Sequence, residues 1–141
     1  MLKNFIVITT LFLCCLFVAN SAKAEIAIII HPDAAFELND EDIKRIFLGK
    51  DQFFPDGSKI KAVEFDNKNK VFGEFCQKVV GKSTQQFKAH WSRMIFTGKA
   101  PPMTIGSSSS EIIELVASDP QYIGYVPADS INESVKVVKK F

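Results

Sequence analysis

Apolar positions along the chain fall into blocks whose spacing changes several times, and each change predicts an element. Glu25 to Ile30 carries an unbroken apolar run, Ile26-Ala27-Ile28-Ile29-Ile30, closed by His31-Pro32. A continuous run predicts a strand covered on both faces, because a strand with one wet face would alternate. The spacing then becomes helical over about 40–48. Ile43, Ile46 and Phe47 share one face, Asn39 stands at the N-cap, Asp40, Glu41 and Asp42 fill the first turn, and Lys44 and Arg45 follow. Gly49 stands where a left-handed residue would end the helix. Phe53-Phe54-Pro55-Asp56-Gly57 is turn chemistry, and Lys59 to Phe65 alternates charged and apolar residues as a second strand would.

The polar stretch Asp66-Asn67-Lys68-Asn69 opens a helix running to about Val80, with Phe72, Phe75, Cys76 and Val79 on its buried face and Gly81 as its stop. Ser83 and Gln86 have the spacing of a capping box for the next helix, whose apolar stripe is Phe87, Trp91, Met94 and Ile95, and which Gly98 ends. Lys99 to Ile105 contains Pro101-Pro102 and predicts an extended loop. Gly106 and Ser107 to Ser110 lead into a helix bearing Ile112, Ile113, Leu115 and Val116, broken by Asp119-Pro120. Tyr122 to Val126 and Val135 to Val138 predict two final strands. Strands interleaved with helices predict a three-layer α/β domain, with helices on both faces of a mostly parallel or mixed sheet.

The first 24 residues change the picture of where the domain begins. Lys3 supplies a short positive region, Ile6 to Ala19 is almost continuously apolar, and Ser21-Ala22-Lys23-Ala24 offers an Ala-x-Ala cleavage site. That is the pattern of a secretory signal over 1–24, leaving one domain over 25–141 in the periplasm or outside the cell. Cys14 and Cys15 raise a lipoprotein signal as the alternative, but Leu13 stands where such a site carries a small residue. Beyond the signal only Cys76 remains, so no disulfide forms within the domain. Two lysines leave with the signal, and the domain holds 15 basic against 16 acidic residues. That balance argues against a broad nucleic-acid surface.

Candidate chemistry is sparse. The helix start at Gly106, Ser107, Ser108, Ser109 and Ser110 offers unpaired N–H groups, a partial positive charge and hydroxyl donors suited to an anion. The plain alternative is one capping serine with Glu111 completing a capping box. Asn67, Lys68 and Asn69 form the second candidate, since loops between a strand end and a helix start collect ligands in α/β sheets. A simple polar loop reads equally well there. Arg93 and Lys99 flank the end of the Trp91 helix, where they could reach a cleft or merely offset the helix dipole. His31 and His90 lack companions at metal spacing, and Cys76 lies on an apolar helix face, so neither a metal site nor an activated nucleophile is predicted. No cofactor motif is present.

Four segments resemble the periplasmic phosphate-binding proteins, the solute receptors of phosphate ABC transporters, which have the type 2 periplasmic-binding fold. They are Ile28 to Pro32, Asp42 to Lys50 (Asp-Ile-Lys-Arg-Ile-Phe-Leu-Gly-Lys), Trp91 to Gly98 and Ser118 to Val126 with its Ile-Gly-Tyr-Val string. The resemblance implies one lobe of that fold. It also implies a non-catalytic protein that binds a small oxyanion, phosphate foremost, and serves an ABC transporter. Receptors of the family carry a Ser-Gly-Thr cluster with a nearby arginine at the strand-to-helix junction. The corresponding stretch here is Asp66 to Phe72, so the resemblance carries over the position of that loop and not its ligands. A domain of one lobe could pair with a second copy or another lobe. The second hypothesis is a ligand-free interaction module that docks a membrane sensor, a transporter or a partner lobe.

Overall fold

The computed structural model describes residues 24–141. The expected signal segment, Ala24 apart, lies outside them. Five strands, β1 (Ile26–Ile30), β2 (Lys61–Phe65), β3 (Thr104–Gly106), β4 (Tyr122–Pro127) and β5 (Lys136–Lys140), form one sheet in the order β3-β2-β4-β1-β5. β2 is parallel to β3 and β4, and β1 is antiparallel to β4 and β5, so the sheet is mixed. Every residue of β1 is buried, as its apolar run predicts.

Four α-helices cover both faces: α1 (Asp40–Phe47), α2 (Lys70–Phe75), α3 (Thr84–Phe96) and α4 (Ser109–Ser118). β4 shows how the layers divide. A Cβ on Gly124 would point at Ile112 and Val116 of α4, while the next side chain, Tyr125, points the other way. Tyr125 stacks on Phe75 of α2 at 3.8 Å between centroids and meets Phe47 of α1 edge-on. Phe87 of α3 in turn packs edge-on against Phe72 and Phe75. The result is the expected three-layer α/β arrangement, with α4 alone on one face and α1, α2 and α3 on the other.

The capping chemistry holds for α1, where Asn39 and Asp42 form a reciprocal box, and for α3, where Ser83 and Gln86 do. Gly49 follows α1 with φ of +69°, a conformation that costs a glycine little. Four expectations need correction. The end of the Lys99–Ile105 stretch is a strand: Thr104 to Gly106 pair with Val63 to Phe65, and ladder bonds outweigh the local Pro-Pro signal. The helix after α2 changes to π-helical turns at Cys76–Val80, ending at left-handed Gly81. Ile95 is 43% exposed, because α3 anchors itself through Phe87 and Trp91 and leaves its last turn outside the core. Leu115 is only partly buried.

Two glycines set how closely α4 lies on the sheet. A Cβ on Gly106 would stand 2.4 Å from Ile112 Cγ1, and one on Gly124 would stand 2.8 Å from Ile112 Cγ2. Ile112 is fully buried and branched at Cβ, so it has little room to yield. Gly106→Ala is expected to destabilise the fold by about 1–3 kcal/mol, read as a lower denaturant midpoint at unchanged slope. A midpoint equal to that of the parent chain would show that α4 can slide off the sheet at no cost.

Candidate functional site

The register of β2 and β3 brings the two candidate helix starts together. Phe65 pairs with Gly106, and the Asp66 N–H donates to the Gly106 carbonyl at 3.2 Å. Asp66–Asn69 and Ser107–Ser110 therefore leave the sheet side by side, at the edge where the parallel strands β2, β3 and β4 all finish. This is the position at which open α/β sheets gather ligands, because helix N-termini converge there.

The donors at the two starts are not equally open. In the first loop, Asp66 Oδ1 accepts from the Lys68 N–H at 2.9 Å and the Asp66 carbonyl accepts from the Asn69 N–H at 2.8 Å. Asn69 Oδ1 caps α2 by accepting from the Val71 N–H at 2.9 Å. The loop thus satisfies most of its own donors, and Asp66 adds a negative charge that sequence reading had not weighed. Lys68 and Lys70 are exposed.

At the second start, Ser108 is the N-cap, its hydroxyl accepting from the Glu111 N–H at 3.2 Å. Glu111 does not complete a capping box with Ser108. Its carboxylate reaches one residue further back and accepts from the Ser107 N–H at 2.8 Å and from the Ser107 hydroxyl. Those two bonds hold the Glu111 carboxyl below its ordinary range. The N–H groups of Ser109 and Ser110 have no hydrogen-bond partner among the described residues. These two serines also open a groove of about 720 Å³, whose far wall carries Ser130, Asn132 and Ser134. The i to i+4 spacing of Ser107 and Glu111 is the one sequence signal that could have revealed the engaged carboxylate.

Arg93 stands apart. It is exposed in the last turn of α3, and no hydrogen bond or ion pair among the described residues joins it to either helix start. The chain beyond it, Ala100 to Thr104, walls a cavity of about 270 Å³ with Lys59 to Ala62, at the starting ends of β2 and β3. Cys76 is buried, and burial first of all pushes its thiol up to about 12, which makes it an inert core residue. Among the described residues no cluster of three or more His, Cys, Asp or Glu side chains could hold a metal ion.

Next to the site the sheet itself opens. β2 and β4 pair only at Lys61–Tyr122 and Ala62–Ile123, after which the strands part. The Tyr125 hydroxyl fills the gap and accepts from the Phe65 N–H at 3.2 Å. Burial raises the pKa of that phenol well above its usual value. Glu64, facing the same layer, keeps one buried carboxylate oxygen without a partner.

With this geometry the chain has the fold of part of a phosphate-transport receptor. Its structure matches an ABC-type phosphate transport receptor from Vibrio cholerae with a TM-score of 0.62 at 18% identity, over 82% of this chain and 47% of that one. It also matches a putative phosphate ABC transporter substrate-binding protein with bound phosphate from Clostridium perfringens, with a TM-score of 0.64 at 22% identity, over 82% and 45%. A third match is PstS from Borrelia burgdorferi, with a TM-score of 0.60 at 16% identity, over 82% and 47%. The chain therefore spans under half the length of these structures and corresponds to one lobe. No family model and no curated protein matches its sequence.

Proposed function

We propose that this chain is an exported, non-catalytic solute-binding lobe that holds a small oxyanion, phosphate foremost, and serves an ABC transporter from the periplasmic or extracellular side. The single observation behind this reading is the Phe65–Gly106 register, which sets two helix starts side by side on a fold shared with phosphate-transport receptors. The Ser109 and Ser110 N–H groups and hydroxyls are the primary donors. Gly106, Ser107 and Ser108 shape the turn that presents them, and Lys68, with the Asn67 and Asn69 loop, supplies charge beside them. Arg93 has no part in this site.

The alternative, a ligand-free module that docks a transporter, a sensor or another lobe, draws support from Glu111 and Asp66. Their carboxylates put negative charge beside the two helix starts and already accept from the neighbouring Lys68 and Ser107 N–H groups. The two readings part in one titration. A binder gains about 2.7 kcal/mol of stability at a hundredfold excess of phosphate over the dissociation constant. Replacing both Ser109 and Ser110 by Ala, or Lys68 by Ala, should shrink that gain, whereas Arg93→Ala should leave it unchanged. A melting temperature indifferent to phosphate and sulfate, with no heat in calorimetry, would sink the oxyanion reading in favour of the module.

A further inference from the structure

The cavity of about 270 Å³ between β2 and the Pro101-Pro102 loop is built by groups that the proposed anion site does not use. Ile46, Trp91 and Ala100 form its buried part, and Ile60, Pro102 and Met103 stand around them. Its walls are fixed before any ligand arrives. Gln52 Nε2 donates to the Lys99 carbonyl at 2.7 Å, which ties the loop after α1 to the Pro-Pro loop. The Ile60 N–H donates to the Gln52 carbonyl at 2.9 Å, and two consecutive prolines stiffen the far wall. The indole of Trp91 has only ring carbon to offer a ligand, because its one donor is spent on the Phe47 carbonyl at 2.9 Å.

The charged residues of the lining are Asp51, Lys59 and Lys61, and two of them are already engaged. Asp51 accepts from Arg45 Nη2 at 2.7 Å and from Arg45 Nε at 3.0 Å. Lys61 Nζ donates to Asp119 Oδ2 at 2.9 Å and lies 5.3 Å from the centroid of the Tyr122 ring. Lys59 is exposed and enters no ion pair among the described residues. An apolar hollow beside one free cation suits a ligand with an apolar body and a single negative charge. It does not suit inorganic phosphate, which would lose hydration against these walls without enough donors to replace it.

We infer that this cavity is a second binding site, taking a small aromatic monocarboxylate whose ring lies against Trp91 and Met103 and whose carboxylate pairs with Lys59. A flat ring matches the indole surface and the polarisable thioether better than an aliphatic chain does. The volume falls just under the usual range for ligand pockets, roughly 300–1,000 Å³, so the ligand is a small one. The cavity lies at the starting ends of β2 and β3, opposite the helix starts, and its occupancy does not depend on the proposed anion site.

Trp91 is the chain's only tryptophan, so its emission reports on the cavity directly. The test is a titration of the purified protein with phenylacetate, read by Trp91 fluorescence and by calorimetry. Saturable binding is expected, in about the millimolar range for a ligand of about ten heavy atoms, and weakened by salt. Phenylacetamide keeps the ring and loses the charge, so it should bind about three- to fivefold more weakly. Lys59→Ala should weaken phenylacetate by about the same factor and leave phenylacetamide unchanged. Ala62→Leu, which fills the cavity from β2, should abolish binding of both, with a thermal melt to show that the variant is folded. Inorganic phosphate should not compete. The inference is overturned by the absence of saturable binding, by equal affinity for the acid and the amide, or by phenylacetate binding that ignores Lys59→Ala or a folded Ala62→Leu chain.

Discussion

Trp91→Ala is expected to cost the fold about 3–5 kcal/mol, the range for emptying a large aromatic site in a core. Total stabilities of such domains are about 5–15 kcal/mol, so the loss is a large fraction of the whole. Trp91 is 9% exposed, and its Nε1 donates to the Phe47 carbonyl at 2.9 Å, at the very end of α1. His90 adds a second tie, its Nε2 lying 2.7 Å from the Leu48 carbonyl. The indole also covers Gly49, where a Cβ would stand 3.0 Å from Trp91 Cη2. Truncation leaves a cavity and frees a carbonyl at once. The check is a thermal melt, expected to fall by about 10 °C or more. Trp91→Phe keeps one six-membered ring and loses the N–H and part of the indole's volume, so it should fall between the alanine variant and the parent. A drop of less than about 1 kcal/mol for the alanine variant would mean that α3 is held elsewhere.

The second large effect is a dependence on pH. Burial, the dominant cause, raises the Glu64 carboxyl from 4.5 to about 7, and the attraction of Lys88 only partly opposes it. The Cys76 thiol and the Tyr125 hydroxyl share its surroundings, and both stay protonated throughout this range. A raised carboxyl pKa means that between pH 4.5 and about 7 the folded chain keeps a proton that the unfolded chain has released. Stability contributed by this group is therefore present at the acid end and lost as pH rises, levelling off above about 7. The shift corresponds to a loss on the order of 3 kcal/mol. Glu64→Gln carries no such proton, so its stability should stay flat over the same interval and exceed that of the parent chain at about pH 8. Denaturant midpoints across this range decide the matter. Parallel profiles for the two chains would show that Glu64 is solvated or paired in solution.

Much of the scaffold could be read from residues. The apolar run of β1, the caps of α1 and α3 and the glycine stops are local signals, and the fold honours them. The strings behind the resemblance prove to be joints of that scaffold: Phe47 to Gly49 receives Trp91, and Gly124-Tyr125 divides the two helical layers. β3 escaped because it has three residues behind a Pro-Pro pair, and only its pairing with β2 makes it a strand. The π-helical turns left no periodic mark. Ile95 fits a helical stripe in spacing alone, and tertiary packing decided which part of that stripe the core would use.

The candidate site was half legible. Each helix start could be found from its polar residues, but their adjacency depends on a sheet register that no local pattern encodes. The donors' occupancy was harder still. Glu111 satisfies the capping-box spacing with Ser108, yet its carboxylate engages Ser107, a choice made by side-chain geometry. Arg93 shows the converse, since a cation near a helix end promised a ligand contact and the topology left it at the other end of the domain.

The place of β1 in the sheet also bears on how the chain folds. Its partners are β4 and β5, with Ile26 opposite Pro127, so about a hundred residues separate the two sides of its ladder. Closing such loops is slow compared with forming helices. The most apolar strand of the domain is therefore made first and paired last. Until the last 20 of the chain's 141 residues arrive, from Tyr122 on, those five residues form an open edge rich in isoleucine, the kind of segment that pairs with strangers. Newly made chains should be most prone to aggregate in that interval, and a mature fold should show its slowest-exchanging amides along β1 and β4.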